Sequence, residues 1–314
     1  MNSSAETHGQ PAAHHVRQAV LRWYRANARE LPWRAAERTP WGVMVSEVML
    51  QQTPVVRVLP VWRRWLERWP TPGDLAGAAP ADVVREWDRL GYPRRALRLH
   101  AAAQKIRDEH GGRVPGDHAE LLALPGIGTY TAAAVAVFAF GQRHTVVDTN
   151  IRRVEARLFS GRALPSRSLT AAETRLADSL LPEDVAESVA WNQAVMELGA
   201  LVCTARTPRC AQCPLAGIGC AWVAAGRPEP EEDTRRRQPF EGTDRQMRGR
   251  IMALLREQGA AGPAMLAALD PEDPVRVERC VRSLLADGLA AVAEEAGGAA
   301  AAGDAGALPG LRLP

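Results

Sequence analysis

Leu121-Leu-Ala-Leu-Pro-Gly-Ile-Gly-Thr-Tyr-Thr131 runs from an apolar helix end into a tight turn, and Ala132-Ala-Ala-Val-Ala-Val-Phe138 continues as a second helix. Gly126 and Gly128 let the backbone bend and approach a ligand with no Cβ in the way. The amides that open the second helix are then placed to bind a phosphate oxygen. An ordinary helix corner has the same pattern, but Tyr130 in the first turn of the second helix strengthens the binding reading.

Outward from this hairpin, residues 15 to about 225 read as nearly continuous helix-period pattern broken by Pro and Gly, with no sustained alternation. The expected body is all-α. The stretch 227–243, rich in Pro, Glu and Arg, reads as a solvated linker. Residues 244–295 hold two apolar-periodic stretches and then Gly288-Leu-Ala-Ala-Val-Ala, a candidate strand, which fits a small winged-helix-like unit. The Ala/Gly-rich residues 296–314 have too little bulk to pack and are expected to be disordered, as is the polar start, 1–13.

A chain of 314 residues with 46% hydrophobic content can bury one large core or two modest ones. It has no apolar run that would span a bilayer and no basic-then-apolar start, so neither a membrane segment nor a secretory signal is expected. The net charge of +3 permits a nucleic-acid partner without requiring one. Five cysteines, four of them crowded between 203 and 220, argue against a secreted disulfide framework and for a reducing, cytoplasmic setting.

Those four, Cys203, Cys210, Cys213 and Cys220, are separated by six, two and six residues. Four converging thiolates suit a zinc ion or an iron-sulfur cubane. Zinc ribbons usually repeat a close pair at both ends, whereas only Cys210 and Cys213 form one here, and the asymmetry leans toward iron-sulfur. Arg206 and Arg209, between the ligands, read either as phosphate contacts or as a solvated loop. Cys280 reads as an ordinary packed residue.

Two acids stand out. Glu47 lies in Trp41-Gly-Val-Met-Val-Ser-Glu-Val-Met-Leu50, a helix begun by the capping pair Thr39-Pro40. A carboxyl among such neighbours is raised in pKa by desolvation and suits a general acid, unless Glu47 merely breaks the surface of the helix. Asp148 ends the run Thr145-Val-Val and precedes Thr149-Asn-Ile-Arg-Arg-Val154, where it reads first as a helix cap.

Together with Leu31-Pro-Trp-Arg34, Ser46-Glu-Val-Met-Leu-Gln-Gln-Thr53, Leu90-Gly-Tyr92, Val147-Asp-Thr-Asn150 and Met196-Glu-Leu-Gly-Ala200, these motifs make residues 20 to about 225 resemble the helix-hairpin-helix DNA glycosylases, and among them the MutY-type adenine glycosylases. The resemblance implies a glycosylase core over 14–226, with a six-helix barrel at about 41–145 and a cluster domain from 14–40 and 146–226. It implies a 4Fe-4S cofactor, and a monomer that removes adenine mispaired with 8-oxoguanine or guanine from double-stranded DNA. Glu47 matches the acid that protonates the flipped adenine, Asp148 the carboxylate that stabilises the sugar cation, and Tyr130 and Asn150 the residues that orient them. Gln52, Leu90 and Tyr92 match positions that fill the duplex where the base leaves.

Endonuclease III-type enzymes share this pattern but use a hairpin-helix lysine, where this chain has Thr129, Tyr130 and Thr131, so no Schiff-base lyase route is expected. A T·G mismatch glycosylase and a non-catalytic iron-sulfur DNA-binding protein are the alternatives. Three departures stand against the family pattern. The interval before Cys220 is one residue longer than usual, Pro93 follows Tyr92 where a second tyrosine is common, and 244–295 is too short for a Nudix-like domain. Arg245, Arg248 and Arg250 at the entry to that C-terminal unit read as a solvated face or as a contact to DNA or a partner.

Overall fold

The helical periodicity resolves into fifteen α-helices among the residues that the computed structural model describes, 13–230, 240–293 and 308–314. They are α1 (Ala13–Asn27), α2 (Pro40–Leu50), α3 (Val55–Arg68), α4 (Pro72–Ala76), α5 (Pro80–Glu86), α6 (Arg94–Glu109), α7 (His118–Leu122) and α8 (Thr129–Phe140). Then follow α9 (Thr149–Ser160), α10 (Ala171–Leu180), α11 (Val185–Leu201), α12 (Ala221–Ala224), α13 (Asp244–Gln258), α14 (Pro263–Ala267) and α15 (Pro274–Ala286). Their starts obey local chemistry. Thr39 Oγ1 accepts the Gly42 amide ahead of α2, Thr71 and Thr170 form capping boxes with Asp74 and Glu173, and Asp117, Asp148 and Asp184 cap α7, α9 and α11.

The chain divides into two compact units, the first Met1–Met44, Gly116–Ala123 and Ile127–Thr234, the second Val45–Pro115, Leu124–Gly126 and Arg235–Pro314. In the first unit Ala133, Ala134, Val137 and Phe138 of α8 share a core with Val43 and Val146. The main core of that unit joins Val16 and Val20 of α1 to Ile151 and Leu158 of α9 and to Trp191, Val195 and Leu198 of α11.

In the second unit the rings of Trp69 and Trp87 pack edge-on against Trp65, with centroids 5.0 and 5.4 Å away. A separate core gathers Met247, Ile251 and Leu255 of α13, Val277, Val281 and Leu284 of α15, and Val84 of α5. Cys280 is buried in it, as expected of a packed residue. Three short strands, β1 (Ala260–Ala261), β2 (Ala291–Val292) and β3 (Leu311–Arg312), form an antiparallel sheet in the order β1-β3-β2, and this helix-strand-helix-helix-strand-strand unit is winged-helix-like.

The expectation of disorder through 296–314 fails at its end, because β3 is the central strand. Leu311 and Leu313 are buried in the α13 and α15 core while Arg312 points outward, an alternation too brief to register as periodicity beside the Ala/Gly run. Residues 294–307, the expected tail at 1–12 and the linker core at 231–239 lie outside the described residues.

Two buried glutamates of the first unit show what the core demands of charge. Glu197 on α11 is fully buried, yet its two oxygens accept the Arg29 amide at 3.0 Å, Arg29 Nε at 2.7 Å, Arg29 Nη2 at 2.8 Å and Arg34 Nη1 at 3.1 Å. Burial pushes its carboxyl up, but the Arg29 hydrogen bond and the Arg34 charge outweigh that and hold it below the usual range. Glu155 on α9 is buried as well, and neither of its oxygens has a hydrogen-bond partner. Burial, with the charges of Asp148 and Glu173 nearby, pushes it up to about 8.

A folded-state pKa above the unfolded value means that folding favours the protonated acid, and that stability is lost as pH rises toward 8. Glu155→Leu is therefore expected to raise Tm by several degrees at about pH 8.5 and by clearly less at about pH 5. Thermal unfolding at both values checks this, and an equal change at both would refute it.

Candidate functional site

α2 is buried on nearly every side, with Val43, Met44, Val45, Val48 and Met49 all inaccessible. Glu47 sits among them at 5% exposure, so it does not break the surface of the helix.

Asp148 is the N-cap of α9. Its Oδ1 accepts the Ile151 amide at 2.7 Å and its Oδ2 accepts Asn150 Nδ2 at 2.7 Å. Burial raises its pKa, while these two hydrogen bonds and the Arg153 charge act the other way and favour the carboxylate. Asn150 is oriented in turn, since its Oδ1 accepts Arg153 Nη2 at 2.8 Å. Arg153 also donates to the Gly199 carbonyl at 2.6 Å and to the Cys203 carbonyl at 2.7 Å. A continuous hydrogen-bonded chain thus joins Asp148 to the first cysteine of the four. Gly199 makes room for it, because a Cβ there would lie 2.6 Å from Asn150 Cβ and 2.9 Å from its carbonyl oxygen.

One turn further along α9, Arg157 donates Nη1 to Cys203 Sγ at 3.4 Å and to the Thr204 carbonyl at 2.8 Å, and its guanidinium lies 4.6 Å from the Trp222 ring centroid. Cys203, Cys210, Cys213 and Cys220 are half-buried and free of disulfides. Burial pushes the Cys213 thiol up to about 11, and the other three thiols act on it electrostatically in the same sense. Among the described residues no three His, Cys, Asp or Glu side chains meet at single-ion distance. Four thiols near enough to act on one another electrostatically, with an Arg157 N–H directed at one of them, fit an iron-sulfur group held by thiolates. Arg206 and Arg209 are exposed on the same loop.

In the hairpin, Gly126 has φ +77 and would place a Cβ 2.7 Å from Arg98 Cβ, so conformation and packing both require glycine. Gly128 caps α8 with ordinary extended backbone and open space around its Cβ position, so it serves approach rather than bending. Tyr130 is half-buried against the Val43, Val137 and Val146 cluster.

The wedge set divides. Gln52 and Tyr92 are exposed and hold left-handed backbones, φ +58 and +47, which is costly for residues other than glycine. Leu90 is 4% exposed and packs inward, so it supports the loop instead of projecting from it. Arg95 pays for the strain. It donates to the carbonyls of Val48 at 2.7 Å and Gln51 at 2.7 Å beyond the end of the helical run, to Gly91 at 3.0 Å and to Thr53 Oγ1 at 3.2 Å. Thr53 Oγ1 donates to the Leu90 carbonyl at 3.0 Å, which completes the lock between the two turns.

Residues 45–178 match the HhH-GPD superfamily of base excision DNA repair proteins, and residues 203–218 match the iron-sulfur binding domain of endonuclease III. The adenine DNA glycosylase of Mycobacterium tuberculosis is 49% identical over 275 residues, which cover 86% of this chain and 88% of that protein. The chain belongs to the adenine DNA glycosylase family. The Homo sapiens adenine DNA glycosylase is 43% identical over 212 residues, covering 64% of this chain and 38% of its own length. A thermostable thymine-DNA glycosylase matches at TM-score 0.59 and 25% identity, covering 68% of this chain and 97% of that one. A non-covalent endonuclease III–DNA complex matches at TM-score 0.58 and 22% identity, covering 69% and 99%, and shows the shared fold.

This glycosylase therefore carries a 4Fe-4S cofactor, as its iron-sulfur binding domain requires, although the matched segment stops two residues before Cys220. An overlap of 86% with the mycobacterial relative reaches into the C-terminal unit whichever end is trimmed. Sequence reasoning missed Arg95, Arg153 and Arg157. Arginines on amphipathic helices read as solvated faces, and acceptors from distant segments, among them the Gln51, Gly199, Cys203 and Thr204 carbonyls, reveal them as organisers.

Gly199→Ala is expected to push Asn150 away from Asp148 and to lower the single-turnover base-excision rate about tenfold, the value of one good hydrogen bond to a charged group. A rate within twofold of wild type would show that the carboxylate does not depend on Asn150.

Proposed function

We propose that this chain is a monofunctional glycosylase of base excision repair that hydrolyses the N-glycosidic bond of adenine mispaired with 8-oxoguanine or guanine in double-stranded DNA. The observation that carries the reading is the buried Glu47 in a largely apolar helix of a chain whose relatives are adenine glycosylases.

Adenine leaves poorly as an anion, so an acid must supply a proton. Glu47, buried in α2, is assigned to donate that proton to N7 of the extruded adenine. As the bond from C1′ to N9 breaks, its electron pair goes to the base, which departs neutral, and positive charge develops on the sugar. Asp148, whose pKa burial raises and whose carboxylate form the Ile151 amide and Asn150 favour, is assigned to stabilise that charge until water attacks C1′ and gives up a proton. Tyr130 and Asn150 orient the acids. The hairpin helix offers Thr129, Tyr130 and Thr131 but no amine, so no Schiff base forms there and strand cleavage is not part of the reaction.

Gly126, Gly128, Arg206 and Arg209 are assigned to the DNA phosphates, and Gln52 and Tyr92, stiffened by Arg95, to the gap in the base stack. Cys203, Cys210, Cys213 and Cys220 hold the cluster, which ties the ends of the loop that presents Arg206 and Arg209. No helix of the described residues is long and apolar enough to cross a membrane, and a monomer in the cytoplasm suits the task.

Duplexes containing A opposite 8-oxoguanine, A opposite G, T opposite G and thymine glycol opposite A test the proposal. Adenine release without strand cleavage is expected, and release of thymine or its glycol alone would overturn it. Glu47→Gln is expected to lower adenine release by at least about a thousandfold, as loss of an essential acid does. Asn150→Ala removes a hydrogen bond that favours the Asp148 carboxylate, so the acidic limb of the pH-rate profile is expected to move to higher pH. A limb that stays in place or moves down would dissociate Asp148 from that limb.

A further inference from the structure

The C-terminal unit reaches the Tyr92 turn through a run of alternating rings and cations. Trp87, buried, lies 5.2 Å from the Arg95 guanidinium, which lies 5.7 Å from the Tyr92 ring. On the other side the guanidinium of Arg245, in the first turn of α13, is 5.2 Å from the Tyr92 ring and 5.9 Å from that of Phe240. The run starts in the core and ends in solvent, with Tyr92 48% and Phe240 56% exposed.

Its far half is firmly placed. The core that contains Met247, Ile251 and Leu255 includes Val84 of α5, and Arg94 pairs with Asp287 at 3.2 Å. Arg245 itself has no carboxylate partner among the described residues, whereas Arg248 pairs with Asp287 and Arg279 with Asp244. Two exposed rings flanking a guanidinium that no described carboxylate neutralises present a stacking face and a free cation side by side. A nucleobase has a π-face for the rings, and its strand supplies a phosphate for the cation.

We propose that Tyr92, Arg245 and Phe240 form one composite DNA-binding surface. In it the C-terminal unit delivers Arg245 to a backbone phosphate at the gap in the stack, and Phe240 stacks on an unpaired base beside Tyr92. The unit thereby becomes a second DNA-contact element. The inference rests on the proposed glycosylase reading for the presence of a gap, but its test does not require excision.

The test measures binding of the full chain to a duplex with a tetrahydrofuran abasic analogue, as a function of salt, so that a failure to release adenine leaves the result intact. Arg245→Ala is expected to weaken binding about tenfold near 0.1 M salt and to reduce the slope of log affinity against log salt by about 0.9, one phosphate contact. Phe240→Leu is expected to weaken binding about fivefold with the slope unchanged, because stacking releases no counterions. Arg250→Ala, an equal charge change at another exposed position of α13, is expected to stay within about twofold. Thermal unfolding confirms that each variant is folded, and Arg245→Lys, which keeps the charge without the planar group, should restore the salt slope if the alanine variant loses it. Wild-type affinity in both Arg245→Ala and Phe240→Leu, or equal losses in Arg245→Ala and Arg250→Ala, would overturn the proposal.

Discussion

A guanidinium buried in a protein interior must find acceptors for its N–H groups, and at Arg153 this requirement organises the first unit. Arg153 is 6% exposed on α9, and its acceptors include Asn150 in the first turn of its own helix, the Gly199 carbonyl near the end of α11, and the Cys203 carbonyl where the cysteine loop begins. Removing such a group from water is expensive, and only full satisfaction by well-aligned acceptors offsets the cost. The geometry of Asp148 and the start of the cluster loop are therefore consequences of one residue's hydrogen bonding. Arg157 extends the device by a turn to the Cys203 sulfur and the Thr204 carbonyl.

Arg95 meets the same physical problem in the second unit. Burial lowers its pKa to about 10, and it is stabilised by carbonyls in the last turn of α2 and just after it, and by that of Gly91. Those carbonyls belong to a helix end and to turns, where no regular ladder satisfies them. A single cation thereby keeps Gln52 and Tyr92 in left-handed conformations at the surface. Strain that a free loop would release is retained because the lock beneath it is rigid.

Three buried glutamates show that environment, not residue type, decides the role. Glu197 is surrounded by arginine donors and stays charged as a structural tie. Glu155 has no donor for either oxygen, sits near two other carboxylates and keeps its proton, which weakens the fold as pH rises. Glu47 is buried in a helix of one of the family's motifs, where it is assigned to the chemistry. For Glu155 and Glu197 burial acts to raise the carboxyl, and the donors within reach determine whether the rise survives.

Local pattern was enough to place α2, the hairpin around Gly126, the α9 cap at Asp148 and the four cysteines, because helix period, capping and close thiol spacing are properties of neighbouring residues. It was also enough to reach the family, through motifs that each lie within a dozen residues. What it did not reach is long-range. The terminal Leu311 and Leu313 become the middle of a sheet only because α13 and α15 offer them a core. Leu90 turns inward, and Arg95, Arg153 and Arg157 find acceptors from distant segments. The sequence by itself determined which side chains carry acid, thiol and turn chemistry. The tertiary structure alone decided which buried charges are satisfied, because hydrogen-bond partners separated by some fifty residues leave no periodic trace in the chain.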